Sequence, residues 1–561
     1  MSKIVIVGGV AGGATAAARI RRLDEKAEIV VFERSGYVSY ANCGLPYYVG
    51  GVITDAEELT LQTPESFRSR FAIDMRVHHE VTAIHTEEKT VSVHNLETGE
   101  RWEESYDKLL LTPGAKPIVP DLAQKDDPRV FTLRTVEDTL KMRAFCETQH
   151  PRKAVIVGGG FIGLELAENL TESGVSVTVA DLQPQVMGQI DPEMAAFVHD
   201  KLIQKGVTLA LGRSVRAIRT ELFGVELGDG TVLEADMAVL AIGVSPESAL
   251  AKEAGLLLGV RGSIVVNDRM ETSAKDVYAV GDAVQVKHFV SGADAMISLA
   301  GPANKQARVA ADNICGRDSR YLGAQGSSVL KLFDLTVAAT GINERTAKAM
   351  HLDCEKVYLS PMSHAGYYPG GKVMTMKVLF DPKKDRLLGA QIVGGEGADK
   401  RIDVLAAAIR MEMPASKLSE LELAYAPPYS SAKDPVNMAG CMIENIETGT
   451  LAQFHWDEVA SLPRDGSVTL LDVRTEEEYA AGHIDGFSHI PVDDLRERMG
   501  ELDPKKPLYV MCQSGLRSYI ACRILMQNGF ACRNLSGGYR LYRTAVKNGA
   551  AAERAMPCGK E

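Results

Sequence analysis

One cysteine, Cys43, stands alone in the stretch SYANCGLPYY at residues 39–48. Thiol chemistry that moves an electron pair usually needs two neighbouring sulfur atoms, because a disulfide must form and break. The position five residues after Cys43 is Tyr48, and the next cysteine is Cys146. The second partner must therefore come from elsewhere, either as a sulfenic acid on Cys43 or as a bound small thiol.

A second cysteine, Cys512, begins the loop CQSGLR, which ends at Arg517. The loop follows the apolar run PLYVM, a predicted buried strand, and leads into a predicted helix. Successive N–H groups of such a loop can point inward and form a nest for an anion. The helix dipole and Arg517 would stabilise a thiolate or a persulfide there. Cys512 and Arg517 are therefore candidate catalytic residues.

Two glycine-rich turns each follow a predicted strand and begin a predicted helix, in KIVIVGGVAGGATAAARIRRLD and KAVIVGGGFIGLELAENL. Glycines let a pyrophosphate approach the backbone, the helix N-terminus attracts it, and an acidic residue after the next strand binds ribose hydroxyls. The repeat predicts two dinucleotide sites, although Val10 replaces the middle glycine of the first. Their residues are Gly8, Gly13 and Glu33 in the first copy, and Gly158, Gly160, Gly163 and Asp181 in the second.

The residues after Asp181 indicate which nicotinamide cofactor is used. Asp181 is followed by the uncharged sequence LQP, so no lysine or arginine stands there to pair with a 2′-phosphate. The acidic side chain would also repel that phosphate. The second turn therefore favours NADH over NADPH.

The candidate residues lie in a chain of 561 residues with an ordinary composition and a net charge of −12. This charge argues against nucleic acid or an anionic membrane as a general partner. No apolar run reaches the roughly 18 residues of a membrane-spanning helix, and the N-terminus is not expected to be a signal peptide. The nine cysteines are scattered without a C-x-x-C pair. They therefore predict neither a disulfide framework nor a metal site, and they favour the reducing cytoplasm.

A third motif assigns the cofactors. The segment TSAKDVYAVGDAV, residues 272–284, resembles the second flavin motif of flavoprotein reductases with two dinucleotide domains. In that family Asp282 would contact the ribitol and phosphate region of FAD. The segments LLLTPGAKP and AVLAIGVSP resemble the family's crossings between domains. The resemblance therefore implies FAD at the first turn and NADH at the second.

Thr15, Arg19 and Arg22 are spaced so that they share one face of the first predicted helix, and Arg21 adds charge nearby. Such a face is often merely solvated, although arginine clusters also hold phosphates. The segments VAGGATAAARIRRLD and YANCGLPYY together resemble the coenzyme A disulfide reductase family. In that family the single cysteine forms a mixed disulfide with coenzyme A, so the partner of Cys43 would be the pantetheine sulfur.

The same resemblance implies further coenzyme A contacts. Ser39 and Asn42 would position the thiol end, and the helix face just described would meet the nucleotide end. Later segments, HAGYYPGGK, GEGADKRIDV and ELAYAPPYSSAKD, resemble the family's third domain. In that family the equivalents of Tyr367 and Tyr425 reach the flavin-side thiol from the other subunit. The equivalents of Lys433 and Asn304 are further contacts of coenzyme A. A homodimer is therefore implied.

The last part of the chain, at about residues 452–545, resembles a rhodanese. Its LLDVR segment with Asp472 and Arg474, its GHIDG segment with His483, and the six-residue Cys512 loop all fit that family. Such a domain can also be inert, but Cys512 and Arg517 are both present. Cys558, beyond this domain, is expected at a frayed end.

The expected fold is α/β, with two Rossmann-like FAD and NAD domains, an α+β dimerisation domain and a C-terminal α/β rhodanese domain. The predicted boundaries are 1–112 and 247–325 for FAD, 113–246 for NADH, 326–446 for dimerisation and 452–545 for the rhodanese.

The expected activity is the NADH-dependent reduction of coenzyme A disulfide, coenzyme A persulfide or polysulfide at Cys43. Tyr367 and Tyr425 would protonate or stabilise the leaving sulfur. Cys512 would deliver sulfane sulfur to coenzyme A. One alternative is an NADH oxidase or peroxidase that cycles Cys43 through sulfenic acid. The other is a sulfur carrier or persulfide sensor with a vestigial flavin part.

Overall fold

The computed structural model describes residues 2–122 and 124–555, with side chains in the last helix described as far as Lys547. Cys558 lies outside the described residues. The chain divides into two compact units. The first contains the chain up to Leu182 together with Gly206–Gly326, and the second contains Gln183–Lys205 and the chain from Ser327 onward. Gln183–Lys205, which lies inside the predicted NADH domain, is thus grouped with the later part of the chain.

The first unit contains a five-stranded parallel sheet with Lys3–Val7 at its centre. That strand, KIVIV, is buried along almost its whole length, as expected for a parallel strand covered on both faces. Helix Ala11–Leu23 follows it directly and packs against helix Ala300–Ile314. The order of the strands is Val277–Ala279, Lys108–Leu111, Lys3–Val7, Glu28–Phe32 and Asp74–Arg76.

A second five-stranded parallel sheet repeats this arrangement in the same unit. Lys153–Val157 is followed by helix Phe161–Glu172 and then by the neighbouring parallel strand Ser176–Asp181. The repeat places both glycine turns at the carboxyl end of a central strand, where open α/β sheets bind ligands. The order of the strands is Thr208–Leu211, Ser176–Asp181, Lys153–Val157, Met237–Leu240 and Val130–Phe131.

Smaller sheets and short helices complete the first unit. Ala115–Pro117 pairs antiparallel with Val244–Pro246, so the two predicted crossing segments lie side by side. The other strands are His79–His85, Thr90–Asn95 and Arg101–Ser105, then Val215–Arg219, Gly224–Leu227 and Val232–Glu234, and finally Ile264–Val265, Val284–Lys287 and Asp294–Ala295. The other α-helices are Leu45–Val49, Pro64–Phe71, Val136–Gln149 and Ala249–Glu253.

The second unit contains a five-stranded antiparallel sheet. Its inner strands Thr375–Asp381 and Arg386–Gly394 are almost fully buried, and helices Ala398–Arg410 and Pro192–Gln204 pack against the sheet. The order of the strands is Ser328–Leu332, Leu335–Gly341, Arg386–Gly394, Thr375–Asp381 and Glu355–Leu359. Two further helices of this part are Glu344–Ala349 and Pro435–Glu447.

The same unit ends with a five-stranded parallel sheet, which confirms the predicted α/β character of the C-terminal part. Its central strand Leu508–Met511 is followed by the Cys512 loop and helix Leu516–Gln527. The order of the strands is Gln453–Phe454, Cys532–Leu535, Leu508–Met511, Thr469–Asp472 and Ser488–His489. The other helices are Glu476–Ala480, Leu495–Arg498 and Gly538–Ala555.

A fully buried lysine, Lys377, connects distant segments of the second unit. Its Nζ lies 2.7 Å from Asp191, 2.6 Å from Glu193 and 2.8 Å from Glu344. Burial opposes the charge of Lys377, but Tyr358 and the three carboxylates raise its pKa well above the ordinary value. Because Asp191 and Glu193 lie at the start of helix Pro192–Gln204, the cluster fixes Gln183–Lys205 to the antiparallel sheet.

Tyr358 extends this cluster to the C-terminal sheet. Its hydroxyl donates to Glu193 at 2.7 Å, and its backbone N–H donates to Ser536 Oγ at 3.2 Å. Ser536 follows the strand Cys532–Leu535, and its turn leads into helix Gly538–Ala555. The C-terminal part is thus packed against the antiparallel sheet through specific hydrogen bonds. Among the described helices, none is long and apolar enough to cross a membrane.

Replacement of Lys377 by Met should lower the free energy of unfolding of the second unit by about 3–5 kcal/mol, because the buried carboxylates of Asp191 and Glu193 lose their cation. Urea unfolding can be followed by the fluorescence of Trp456, in a Trp102→Phe background, since these are the two tryptophans of the chain. Lys348→Met is the control, because Lys348 also contacts Glu344 but is 69% exposed. An equal shift for both variants would contradict the role given to Lys377.

Candidate functional site

The first glycine turn has the shape of a phosphate-binding turn. Gly8 has φ +100°, and a Cβ there would lie 2.3 Å from the carbonyl oxygen of Thr112. A Cβ on Gly13 would lie 1.8 Å from the carbonyl oxygen of Gly8. No side chain caps helix Ala11–Leu23, so its first N–H groups are left for a ligand anion.

The second turn has the same geometry. Gly158 has φ +111°, a Cβ on Gly163 would lie 2.0 Å from the Gly158 carbonyl oxygen, and no atom lies within 4 Å of a Cβ on Gly160. Gly160 and Val10 occupy equivalent positions before their helices, with φ of −83° and −98°. Neither position needs a positive φ, so the turn does not require a glycine there and a valine can occupy it in the first copy.

The predicted acidic residues lie directly against these turns. Glu33 accepts a hydrogen bond from the N–H of Gly9 at 2.8 Å, and Asp181 accepts one from the N–H of Gly159 at 2.7 Å. Each carboxylate therefore stands at the start of its helix, as binding of a ribose beside a pyrophosphate requires. Both turns fit a dinucleotide.

Asp282 has a partner that sequence reasoning missed. Arg134, which precedes helix Val136–Gln149, donates to Asp282 at 2.8 Å across a separation of 148 residues. This guanidinium lies beside the predicted flavin motif, and its charge partly opposes the rise in the Cys43 pKa that burial and Glu165 cause, so it belongs to the same site. Nothing in the local pattern around Arg134 could have identified the contact.

Cys43 lies on the short 3-10 turn Asn42–Gly44 and is exposed. Ser39, four residues earlier, has φ +47° and donates its N–H to the Gly9 carbonyl oxygen at 2.9 Å. A positive φ at a serine is strained, and such strain often accompanies a functional loop. The predicted residues Ser39, Asn42 and Cys43 thus lie on one loop that is joined to the first glycine turn.

A carboxylate acts on the Cys43 thiol. Although Cys43 is exposed at the surface, surrounding protein partly desolvates its sulfur, and this desolvation and the charge of Glu165 raise the pKa of the thiol. Burial and the neighbouring Glu168 raise the pKa of Glu165 itself to about 7. Glu165 lies on helix Phe161–Glu172, which packs against helix Leu45–Val49 just after the thiol. The protonation of Glu165 near neutral pH therefore changes the electrostatic surroundings of the thiol.

The predicted face of the first helix is only partly solvated. Thr15 donates to Asn304 at 2.7 Å, and Arg19 forms an ion pair with Asp312 at 2.8 Å. Both partners lie on helix Ala300–Ile314, so the structure brings Thr15, Arg19 and Asn304 to one helix pair. Arg22 is exposed.

Arg21 does not add to this face, contrary to expectation. It is buried, and its guanidinium donates to the carbonyl oxygens of Phe71 at 2.7 Å and Ala72 at 2.9 Å. Helical spacing turns Arg21 away from the face of Arg19, and backbone carbonyls satisfy its donors.

The two predicted tyrosines meet in the second unit. The hydroxyl groups of Tyr367 and Tyr425 share a hydrogen bond of 2.6 Å, which raises the pKa of Tyr425. Their side chains are 76% and 46% exposed, and Lys433 is exposed on the segment that follows Tyr425. Large exposed aromatic side chains of this kind are typical of surfaces that another molecule covers.

The Cys512 sulfur is fully buried in the predicted loop. The N–H of Gly515 and the hydroxyl of Ser518 each donate to Sγ at 3.2 Å. Gly515, with φ +96°, turns the chain so that the N–H points inward. The loop therefore supplies the donors that a thiolate or persulfide needs, and Ser518 is one that the sequence pattern did not identify.

Arg517 does not stand free beside the sulfur. It makes two hydrogen bonds with Glu478, at 2.7 and 2.8 Å, and this pairing fixes the orientation of its guanidinium. Asp472 and Arg474 form a buried ion pair at 2.7 Å, which identifies them as structural residues of this part. His483 stacks on Tyr479 with ring centroids 4.1 Å apart.

Family models match three successive parts of the chain. The model described as pyridine nucleotide-disulphide oxidoreductase matches residues 2–307, and its dimerisation domain matches residues 327–435. The rhodanese-like domain matches residues 455–545. The three matches follow the order of parts inferred from the motifs.

Individual relatives extend this similarity over most of the chain. A coenzyme A disulfide reductase from Staphylococcus haemolyticus is 37% identical over 78% of this chain and 99% of its own length. The structure of reduced Bacillus anthracis CoADR-RHD is 48% identical, covers 97% of this chain and 98% of that one, and has a TM-score of 0.95. A NAD-dependent persulfide reductase from A. fulgidus is 36% identical, covers 96% and 100%, and has a TM-score of 0.90.

Glu165→Gln should speed the alkylation of Cys43 by iodoacetamide by about threefold to tenfold, because one unit of thiol pKa changes the thiolate fraction tenfold. The effect should be large above about pH 8 and small below about pH 6, since the Glu165 carboxyl, with a pKa of about 7, is charged only at the higher pH. Peptide mass spectrometry of the FAD-loaded enzyme gives the rate. Glu172→Gln, at the exposed end of the same helix, is the control, and equal rates for both variants would contradict the coupling.

Proposed function

Because the chain belongs to the pyridine nucleotide-disulphide oxidoreductase family, we propose that it reduces coenzyme A disulfide, coenzyme A persulfide or polysulfide with electrons from NADH. The family uses FAD and NAD(H). The observation that carries the proposal is the exposed Cys43 thiol, on a loop joined to the first glycine turn and with no second cysteine in that loop. A substrate sulfur must then be its partner.

The first site would hold FAD through Gly8, Gly13, Glu33 and Asp282, and the second would hold NADH through the turn of Gly158 and Asp181. FAD would carry the electron pair from NADH to the sulfur bond. Cys43, as the thiolate, attacks a substrate sulfur, forms a mixed disulfide and releases a thiolate. Two electrons and a proton then break that disulfide, so that Cys43 and the second thiol are restored.

Positioning of coenzyme A rests on two surfaces. Ser39 and Asn42 would meet the thiol end, because they share the loop of Cys43. Arg22 and the Thr15–Asn304 pair would meet the nucleotide end, beside Arg19, which Asp312 holds. The exposed and already paired hydroxyls of Tyr367 and Tyr425 can share a proton with the leaving sulfur. These tyrosines and Lys433 would act from the partner subunit of a homodimer, which the dimerisation-domain match supports.

The C-terminal part would act as a sulfur donor. Its buried Cys512 lies among donors that suit a persulfide, and two relatives that span nearly the whole chain include a persulfide reductase. Polysulfide or another sulfane donor would load Cys512, which then passes the sulfur to the coenzyme A thiol. The NADH oxidase or peroxidase alternative is less supported, because such chemistry needs neither this donor nor a coenzyme A surface. A location in the cytoplasm remains a prediction from the cysteine pattern.

Arg22→Ala should raise the KM for coenzyme A disulfide by about tenfold, corresponding to about 1.4 kcal/mol, and should leave the KM for inorganic polysulfide unchanged. The reason is that only coenzyme A carries phosphates, and the exposed Arg22 has no ion-pair partner among the described residues that would compete. Lys26→Ala, an exposed cation just beyond the same helix, is the control. Equal effects on the two substrates would show that Arg22 is only a solvated side chain.

Cys43→Ser should abolish NADH oxidation with every sulfur substrate, because Cys43 is the one cysteine among the described residues that lies beside the flavin motif. Cys512→Ala should leave coenzyme A disulfide reduction near normal. It should slow turnover of a sulfane donor about tenfold or more when coenzyme A is the acceptor. Steady-state NADH oxidation with both substrates tests the pair of variants. Loss of coenzyme A disulfide reduction in folded Cys512→Ala enzyme would refute this division of roles.

A further inference from the structure

The second unit contains a groove that is separate from every residue assigned above. Its volume is 540 Å³. It is lined by residues of helix Pro192–Gln204, of the antiparallel sheet and of helix Gly538–Ala555. Four basic and two acidic side chains line it, an excess of two positive charges.

Arg540 is the uncompensated charge in this groove. Its Nε is buried and has no hydrogen-bond partner among the described residues, and no described carboxylate forms an ion pair with it. The guanidinium lies 5.6 Å from the ring centre of Phe197. Burial and the neighbouring Arg543 both lower its pKa. A partly buried cation without an anion is unfavourable, so the site at Arg540 favours binding of a negatively charged ligand.

The other charges of the groove leave room for that ligand. Lys201 pairs with Asp334 at 2.9 Å, and Lys547 pairs with Asp200 at 3.0 Å. The acidic residues are thus engaged with lysines at other points of the wall. A space of 540 Å³ is within the range of about 300–1,000 Å³ that holds cofactor-sized molecules, and it is far larger than one inorganic anion needs.

Arg540, which lines the groove, and its neighbour Tyr539 are hydrogen-bonded through their backbone to the sulfur-carrying loop. The backbone N–H of Arg540 donates to the carbonyl oxygen of Gln513 at 3.0 Å, and that of Tyr539 donates to the carbonyl oxygen of Cys512 at 2.8 Å. Arg540 therefore has an unpaired guanidinium in the groove and a backbone hydrogen bond to the loop of Cys512. A ligand with phosphates at Arg540 would begin within one side-chain length of that loop.

We propose that this groove binds the phosphorylated nucleotide end of the coenzyme A that accepts sulfur from Cys512. The inference rests on the sulfur-donor role proposed above and adds a nucleotide site for it. In the transfer, the coenzyme A sulfur bonds to the outer sulfur of the Cys512 persulfide while the Cys512–sulfur bond breaks. Cys512 leaves as a thiolate and takes the proton of the coenzyme A thiol, so no net oxidation or reduction occurs. Phe197 supplies apolar surface beside the phosphate site.

The kinetic test compares coenzyme A with pantetheine, which has the same thiol arm but no nucleotide. Thiosulfate serves as the sulfane donor for the full-length, FAD-loaded enzyme. Arg540→Met should raise the KM for coenzyme A as acceptor by about tenfold and leave that for pantetheine unchanged. Arg540→Lys should restore part of the loss. Arg543→Met, an exposed arginine on the same helix that does not line the groove, is the control.

An equal effect of Arg540→Met on both acceptors would overturn the nucleotide site, because it would show that Arg540 acts only by holding the Cys512 loop. An unchanged KM for both acceptors would also overturn it. NADH-dependent reduction of coenzyme A disulfide should be normal in this variant.

A binding measurement separates this proposal from the sulfur-donor role. Calorimetry with adenosine 3′,5′-bisphosphate, in an Arg22→Ala background that weakens the first-unit site, should detect binding that Arg540→Met weakens about tenfold. Unchanged binding in Arg540→Met would refute the groove site whatever the sulfur-transfer assay shows. Normal binding together with no sulfur transfer to any thiol in the unaltered enzyme would instead refute the sulfur-donor role.

Discussion

The ammonium group of Lys377 is held by three carboxylates in a place that water does not reach, and the organisation of the second unit depends on this contact. Each buried ion alone would be very unfavourable, so the cluster forms only when Asp191, Glu193 and Glu344 converge together. Asp191 and Glu193 come from a segment that sequence places among the nicotinamide-binding residues. A single charge thus fixes where Gln183–Lys205 packs, and Tyr358 transmits the same constraint to the C-terminal sheet.

The two thiols occupy opposite physical environments. Cys43 is exposed on a short turn, and the charge of Glu165 disfavours its thiolate. A bound ligand or protonation of Glu165 would remove this effect. Cys512 is buried, and Gly515 and Ser518 donate directly to its sulfur. An exposed thiol can meet a substrate as large as coenzyme A disulfide, whereas a buried thiol in a nest of donors suits the short residence of one extra sulfur atom. The difference follows from local backbone geometry and not from the cysteines themselves.

The features that could be predicted from the sequence are those that depend on a local physical requirement. The glycine turns were predictable because Gly8 and Gly158 need a positive φ and because a side chain on Gly13 or Gly163 would strike the turn. The order of domains was predictable for the same reason, since each motif carries its own strand and helix. The predicted domain boundaries stay predictions, as do the roles of the individual site residues.

Long-range partners were not predictable. Arg134 meets Asp282, and Arg19 meets Asp312, across separations of 148 and 293 residues that no local pattern encodes. Helical spacing identified the face of Arg19 but not the second helix that covers part of it. Arg21 was misplaced because a charged side chain was assumed to be solvated, whereas backbone carbonyls satisfy it inside the fold.

The turn that contains Ser536 and Gly537 packs against Tyr358, and it limits which other domains could replace this C-terminal part. Gly537 has φ +78°, and a Cβ there would lie 2.6 Å from Leu541 and 3.1 Å from Tyr358. The residues of the C-terminal part at this turn are therefore constrained by the antiparallel sheet as well as by the Cys512 loop. A different domain joined at this position would need a glycine in place of Gly537 and a hydroxyl group in place of Ser536 to accept the hydrogen bond of Tyr358. The connection between the two sheets is therefore a packed and hydrogen-bonded interface and not a simple tether.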